Sequence, residues 1–130
     1  MTSKELFDLA VRASESSYSP YSHFRVGAAL IAGSGKIYTG CNIENASYSM
    51  TICAERTAIF KAVSEGEKEI RAIAVAGSAD DDYSVPCTPC GACLQVMAEF
   101  GGDDLMIILS DGEHGLNDFL PLRFSEKNLK

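Results

Sequence analysis

The chain has 130 residues, of which 46% are hydrophobic and 22% charged, and its formal net charge is −7. This length and balance predict one folded domain over residues 1–130 and argue against a disordered chain. Lys and Arg are not concentrated anywhere, no apolar run approaches the length of a membrane span, and acidic residues interrupt the N-terminal segment where a signal peptide would be apolar. We therefore expect a cytoplasmic protein that binds neither nucleic acid nor membrane.

The first elements of the chain read as a helix followed by a strand pair. Apolar residues recur at helical spacing over Lys4–Ser17, and Ser3 is a plausible N-cap. A nearly all-apolar strand over Arg25–Ala32 runs through the turn at Gly33–Gly35 into a second strand, Lys36–Cys41. So tight a turn predicts an antiparallel hairpin.

The second half of the chain alternates helices and strands. The pattern predicts a helix over Cys53–Ser64 that ends at Gly66, and a helix over Gly91–Phe100 that ends at Gly101–Gly102. Each is followed by a short apolar run typical of a buried strand, and these runs are Ala72–Ala76 and Leu105–Leu109. The order predicts an α/β fold: a mixed sheet whose later strands are parallel and whose two faces are covered by helices.

Two cysteine motifs carry the chemistry. Cys53-Ala54-Glu55 and Pro89-Cys90-Gly91-Ala92-Cys93 supply three thiolates and one carboxylate, each motif at the start of a predicted helix. Three protein ligands leave one position of a tetrahedral zinc ion for water, and Glu55 could move the protons of that water. Helix N-termini stabilise thiolates, and Arg56 could donate to a ligand sulfur in the zinc second shell.

The assignment of the ligands leaves alternatives, because Cys87 repeats the same spacing with Cys90. A site with Cys87 as a fourth ligand would be closed and structural, as in a zinc-stapled binding module. We favour Cys90 and Cys93, since Gly91-Ala92 can enter a helix whereas Pro89 makes the Cys87–Cys90 segment rigid. A redox-active Cys-x-x-Cys module would give Glu55 no role. Cys41 is expected to be a small buried apolar residue.

These motifs and their flanking segments resemble one family along nearly the whole chain. A Cys-Ala-Glu followed by Pro-Cys-x-x-Cys is the signature of zinc nucleobase deaminases. More specifically, the chain resembles the small homotetrameric zinc-dependent cytidine deaminases of pyrimidine nucleoside salvage. The matching segments are Ser19–Phe24, Val26–Leu30, Gly40–Ala46, Ile52–Ala58, Pro89–Cys93, Gln95–Val96 and Leu120-Pro121-x-x-Phe124.

The resemblance implies a three-layer α/β/α sandwich around a mixed sheet of about five strands, and hydrolytic deamination of cytidine and 2′-deoxycytidine to the uridine nucleosides and ammonia. It implies one Zn²⁺ per subunit on Cys53, Cys90 and Cys93. Zinc-bound hydroxide would attack C4 of cytosine, and Glu55 would carry protons to N3 and to the departing amino group. A related possibility is deamination of a modified cytosine nucleoside, because such enzymes share the zinc motifs.

Substrate-binding residues follow from the same resemblance. Asn42 and Glu44 match residues that hydrogen-bond the ribose 3′-hydroxyl, and Phe24 matches the ring packed against the pyrimidine. The backbone of Ala54 would hold the base. Residues that complete the active site of a neighbouring subunit in the homotetramer would be Ala46, Tyr48 and Phe124.

Three positions depart from the family pattern. Cys87 is an additional thiol in a slightly longer loop, and Arg25 replaces a small residue or proline next to Phe24. Leu94 stands where the family usually has an arginine that moderates thiolate charge. We therefore expect Arg56 and the helix termini to offset the negative charge of the thiolates instead.

Overall fold

The computed structural model describes all of residues 1–130 and places three helices and five strands in one layered unit. None of the helices has the length and apolar character that crossing a membrane requires. The elements in chain order are α1 (Ser3–Ser14), β1 (Arg25–Ala32), β2 (Ile37–Cys41), α2 (Ala54–Ser64), β3 (Ile70–Ser78), α3 (Gly91–Gly101), β4 (Met106–Leu109) and β5 (Gly112–Gly115).

The strands form one mixed sheet in the order β2-β1-β3-β4-β5. β1 is antiparallel to both β2 and β3, which confirms the predicted hairpin, and β3 is parallel to β4. The carboxyl ends of β2, β3 and β4 therefore lie at the same edge of the sheet as the beginning of β1. Crevices at such edges are where open α/β sheets bind ligands.

Helices cover both faces of the sheet. On one face, Leu6 and Ala10 of α1 pack against Ala29, Ala74 and other small strand residues. On the opposite face, the larger core joins α2 and α3 to the strands, with members that include Leu30, Ile59, Ile73, Met97 and Ile107. Neighbouring β1 residues belong alternately to the two cores because successive side chains of a strand point to opposite faces of the sheet. The predicted α/β/α sandwich around five strands is confirmed.

Two glycines let the helices approach the sheet closely. A Cβ on Gly27 would lie 1.9 Å from the Ala10 carbonyl oxygen, and one on Gly40 would lie 2.5 Å from the Ala58 nitrogen and 2.8 Å from the Ala54 carbonyl oxygen. A side chain at Gly40 would push α2 outward. Gly40 therefore allows the first turn of α2, which contains Glu55, to pack closely against the edge of the sheet.

The predicted N-cap of α1 is wrong by one residue, and the predicted end of the helix lies three residues too late. Thr2 is the cap: its hydroxyl accepts from the Glu5 amide at 3.1 Å and the Glu5 carboxylate accepts from the Thr2 amide at 3.3 Å. The helix ends at Ser14, whose hydroxyl hydrogen-bonds the Val11 carbonyl and the Tyr83 hydroxyl. Serine side chains that bond locally compete with helix continuation.

Strand β5 is the element that sequence patterning misses. Its residues Gly112–Gly115 include two glycines and a glutamate, a composition that is poor in strand formers. β5 forms because Ser110 and Asp111 make a tight turn between β4 and β5, and Gly112, the first residue of β5, has a φ of 129°. The Asp111-Gly112 pair was the available signal for this hairpin. The other predicted boundaries match the structure or differ from it by at most two residues.

Candidate functional site

Three sulfurs meet at the sheet edge. The Sγ atoms of Cys53, Cys90 and Cys93 all lie within 4.8 Å of one another, and those of Cys53 and Cys90 are 3.7 Å apart. All five cysteines of the chain are free of disulfide bonds. Tetrahedral zinc with bonds of about 2.3 Å to sulfur would place its ligands about 3.8 Å apart. The cluster therefore fits a zinc ion.

The fold brings these sulfurs together through two helix N-termini. Cys53 is the N-cap of α2, Cys90 is the N-cap of α3, and Cys93 lies in the first turn of α3. Neither N-cap side chain hydrogen-bonds its own helix backbone, so both sulfurs face the cluster. The positive ends of two helix dipoles converge there and favour thiolates.

Charge within the cluster is concentrated on Cys53. Hydrogen bonding from the Cys93 thiol, assisted by Arg56 and Cys90, lowers the pKa of Cys53 to about 5. The same pairing raises the pKa of Cys93, because its proton is held by the Cys53 sulfur. Of Cys53 and Cys93, the protein alone thus favours the thiolate on Cys53, and a bound dication would be needed for both to ionise.

Arg56 is the cation next to the cluster. Its Nη2 donates to the Cys53 sulfur at 3.4 Å, and its buried Nε has no hydrogen-bond partner. Leu94, where the family usually has a second arginine, is 6% exposed and belongs to the hydrophobic core. Position 94 therefore adds no positive charge to the site.

Glu55 is buried beside the cluster. It is 4% exposed in the first turn of α2, two residues after Cys53. Burial, followed by the nearby Cys53 thiolate, raises the pKa of Glu55 to about 7. A carboxyl group with a pKa near neutrality can both accept and donate a proton, as a general acid and base must.

Cys87 is not part of the sulfur cluster. Its sulfur instead lies over Gly77 in β3, together with the ring of Phe24. The grouped ligands therefore number three, which leaves a fourth tetrahedral position for a non-protein ligand.

Asn42 and Glu44 lie next to the cysteine cluster through backbone pairing. The residue between them, Ile43, exchanges two hydrogen bonds of 3.0 Å with Ile52, which immediately precedes Cys53. Asn42 is 8% exposed, and its side chain accepts from the Val26 amide and donates to the Phe24 carbonyl, both at 2.9 Å. One of its amide protons has no partner among these contacts.

Glu44 is held by three donors of one preceding loop. The amides of Tyr21 and Ser22 donate to its Oε1 at 3.0 and 3.1 Å, and the Ser22 hydroxyl donates to Oε2. The Ser22 hydroxyl, with the two amides, lowers the pKa of Glu44. A cavity of about 360 Å³ borders this carboxylate and is lined by Tyr21, Ser22, Glu44, Tyr48 and Thr51.

The remaining sequence candidates divide into two groups. Ala54 is fully buried at the start of α2, directly after Cys53, and Phe24 is 38% exposed at the sheet edge, directly before β1. The other three are solvent-exposed, and Phe124 is joined to α3 by the Gln95 amide, which donates to its carbonyl at 2.9 Å. These exposed residues are Ala46, Tyr48 and Phe124.

Sequence reasoning missed the residues that support the site. Ser17 donates to the Asn42 side chain and Ser22 to that of Glu44, while Gly77 leaves room for Phe24 and Cys87. The available signal was the serine-rich segment Ser14–Ser22, whose hydroxyls suit short hydrogen bonds to neighbouring polar side chains.

Comparison with known proteins agrees with this geometry. The cytidine and deoxycytidylate deaminase zinc-binding region matches residues 1–109. A cytidine deaminase from Sporosarcina psychrophila is 46% identical over 134 aligned positions, which cover 99% of this chain and 96% of that protein. The crystal structure of the Burkholderia pseudomallei cytidine deaminase has a TM-score of 0.85 and 44% identity, covering 95% of this chain and 100% of that one. The Mycobacterium tuberculosis cytidine deaminase structure has a TM-score of 0.86 and 36% identity, covering 96% and 98%. With its sulfur cluster, its fold and these full-length matches, the chain belongs to the cytidine and deoxycytidylate deaminase zinc-binding family.

Proposed function

We propose that this protein is a zinc-dependent hydrolase that converts cytidine and 2′-deoxycytidine to uridine and 2′-deoxyuridine with release of ammonia. The observation that carries the proposal is the three-sulfur cluster with buried Glu55 beside it, joined to Asn42 and Glu44 by the Ile43–Ile52 pair. Full-length similarity to proteins named cytidine deaminase supports the same substrate class.

Cys53, Cys90 and Cys93 would hold the metal. When bound, zinc supplies the Lewis acidity that makes water nucleophilic at neutral pH. Glu55 would take a proton from a water molecule and deliver it to N3 of the base while the water oxygen bonds to C4. It would then transfer the second proton of that water to the amino group, so that the C4–N bond breaks, ammonia leaves and the C4 oxygen becomes a carbonyl. Burial of Glu55 keeps competing solvent from this proton path.

Asn42 and Glu44 would bind the sugar. Asn42 retains one amide proton, and Glu44 retains acceptor capacity on Oε2 beyond the Ser22 hydroxyl. Together they offer one donor and one acceptor, which matches a ribose 3′-hydroxyl. Phe24 would present an aromatic surface to the base, and the backbone of Ala54, at the start of α2, would bond its polar edge.

We further infer a homotetramer in which Ala46, Tyr48 and Phe124 complete a neighbouring site. Tyr48 and Phe124 are 74% and 57% exposed, and Met50 and Leu122 add to the exposed apolar surface. Such surface is typical of protein interfaces. The whole chain would then be one domain acting in pyrimidine salvage, and its unpaired thiolate ligands suit the reducing cytoplasm.

An ultraviolet assay of cytidine and 2′-deoxycytidine loss, run with a metal analysis, tests the function. We expect about one zinc per chain and turnover that a chelator abolishes and added zinc restores. A protein with a full complement of zinc that leaves both nucleosides unchanged would overturn the proposal. Light scattering after size exclusion tests the tetramer separately.

A further inference from the structure

A phenyl ring and a thiol share one niche at the end of β3. A Cβ on Gly77 would lie 2.8 Å from the Cys87 sulfur and 2.8 Å from Cε2 of Phe24. Real Cβ atoms do not approach so closely, so Phe24 and Cys87 occupy the space that a side chain at position 77 would fill. Gly77 therefore allows these two groups to form a continuous apolar surface.

This surface lies next to the reacting groups. The Phe24 carbonyl accepts from Asn42, one of the proposed sugar-binding residues, at 2.9 Å. On the other side, Cys87 lies three residues before Cys90 and, like Cys53, packs against the larger core. Burial, with added repulsion from the charges of Glu55 and Cys53, raises the pKa of the Cys87 thiol to about 11, and a thiol is a weakly polar group.

The loop that carries Cys87 is fixed at several points. Arg25, next to Phe24, forms an ion pair with Asp81. Asp80 accepts from the Ser78 hydroxyl at 3.1 Å, and the Ser84 carbonyl accepts from Ser110 at 2.9 Å. These contacts hold the longer loop against both β1 and β4, so the position of Cys87 relative to Phe24 is set by the fold.

The chemistry of cytosine indicates which part of the base meets this surface. One edge of the ring carries O2, N3 and the 4-amino group, all of which need hydrogen-bonding partners such as Glu55 and the Ala54 backbone. The opposite edge carries only C5–H and C6–H. A phenyl ring and a neutral thiol suit that apolar edge and would leave the polar edge unsatisfied.

We propose that Phe24 and Cys87 together form the wall against the C5–C6 edge of the pyrimidine, and that Cys87 determines which substituents at C5 are accepted. This inference rests on the proposed deaminase function. It assigns a role in substrate specificity to Cys87, one of the positions at which this chain departs from its family.

The test compares kcat/KM for cytidine and 5-methylcytidine in the zinc-loaded wild type and in Cys87→Ala, Cys87→Val and Cys87→Leu. One methyl group in an apolar pocket changes discrimination by roughly 10–200-fold. We expect Cys87→Ala to raise the 5-methylcytidine to cytidine ratio by about tenfold, and Cys87→Val and Cys87→Leu to lower it progressively. Cys41→Ala, which removes another partly buried thiol outside the wall, should leave the ratio unchanged.

Competitive inhibition by uridine and 5-methyluridine gives a second readout that does not depend on the chemical step. The ratio of the two inhibition constants should shift in the same direction as the kcat/KM ratio. An unchanged ratio in Cys87→Ala and Cys87→Val, with zinc retained, would overturn the inference. Zinc-loaded wild type that fails to deaminate cytidine would instead overturn the function on which it rests.

Discussion

Ile43 and Ile52 each donate a backbone amide hydrogen bond of 3.0 Å to the other's carbonyl, although neither residue belongs to one of the five strands. This single antiparallel pair places Asn42 and Glu44 on either side of a residue that is fixed next to Cys53. The distance between Asn42 and Glu44, the proposed sugar-binding residues, and the cysteine cluster is therefore set by backbone pairing. Such pairing explains how a segment without regular secondary structure can hold these two side chains at a fixed distance from the cluster.

Replacement of Glu55 by Gln should abolish turnover while zinc is retained. Gln has nearly the same shape but cannot carry a proton, and a positioned acid or base typically contributes about 10²–10⁴-fold to the rate. The measurement is kcat for cytidine together with zinc content. Glu99→Gln, the same change on the exposed surface of α3, is the control and should retain full activity. Near-normal turnover in Glu55→Gln would refute the proton-transfer role.

Zinc content should depend on Cys93 and not on Cys87. Removing one of three ligands opens the metal site, so Cys93→Ser should reduce bound zinc from about one equivalent toward zero. Cys87→Ala should keep the metal, because the Cys87 sulfur lies over Gly77 and outside the cluster. Metal analysis after gel filtration distinguishes the two. Loss of zinc from Cys87→Ala would support a closed four-cysteine site.

Arg56→Gln should weaken zinc binding by roughly 10–100-fold, the usual effect of losing a hydrogen-bonding partner of a metal ligand. The effect should be strong in this chain because Leu94 provides no second cation. Competition with a chromophoric chelator measures the zinc affinity directly. Arg12→Gln removes an exposed arginine from α1 and serves as the matched control. Equal affinities in the two variants would show that Arg56 does not stabilise the thiolates.

Glu44 should contribute stability that depends on pH. The Ser22 hydroxyl and the two loop amides hold the pKa of Glu44 below its ordinary value of about 4.3. The contribution is therefore fully present above that ordinary value and is lost as the pH falls through the lowered folded-state pKa. Urea midpoints of wild type and Glu44→Gln should differ near neutral pH and converge as the pH falls through the lowered pKa of Glu44. A difference that grows on acidification would contradict the assignment.

The N-terminal cap of α1 offers a test by stability alone. Thr2→Ala removes the hydroxyl that accepts from Glu5, and should lower the free energy of unfolding by about 1 kcal/mol. Ser3→Ala should have a smaller effect, because Ser3 lies inside the helix and its hydroxyl contacts Glu113 at the surface. Thermal or urea unfolding of both variants measures the difference. A larger loss from Ser3→Ala would restore Ser3 as the cap.

The sequence predicted the fold and the ligand cluster well because both depend on strong local signals. The apolar run of β1 matched the structure residue for residue, and the two cysteine motifs fell at the starts of α2 and α3, where the fold brings them together. β5 was missed because its stability comes from pairing with β4 rather than from its own residues. The niche that holds Cys87 was also invisible, since it depends on contact between β1, β3 and a loop.

Cys53 and Cys90 each occupy the N-cap of a helix without capping it by hydrogen bond. At both positions the usual stabilising acceptor for the first turn is absent, and a metal held by the two sulfurs would anchor those turns in its place. Departure of the metal would therefore loosen the beginnings of α2 and α3 together, and Glu55 lies in one of them. Loss of the cofactor and disordering of Glu55, the proposed proton-transfer group, would be a single event, detectable as faster amide hydrogen exchange in both helix starts.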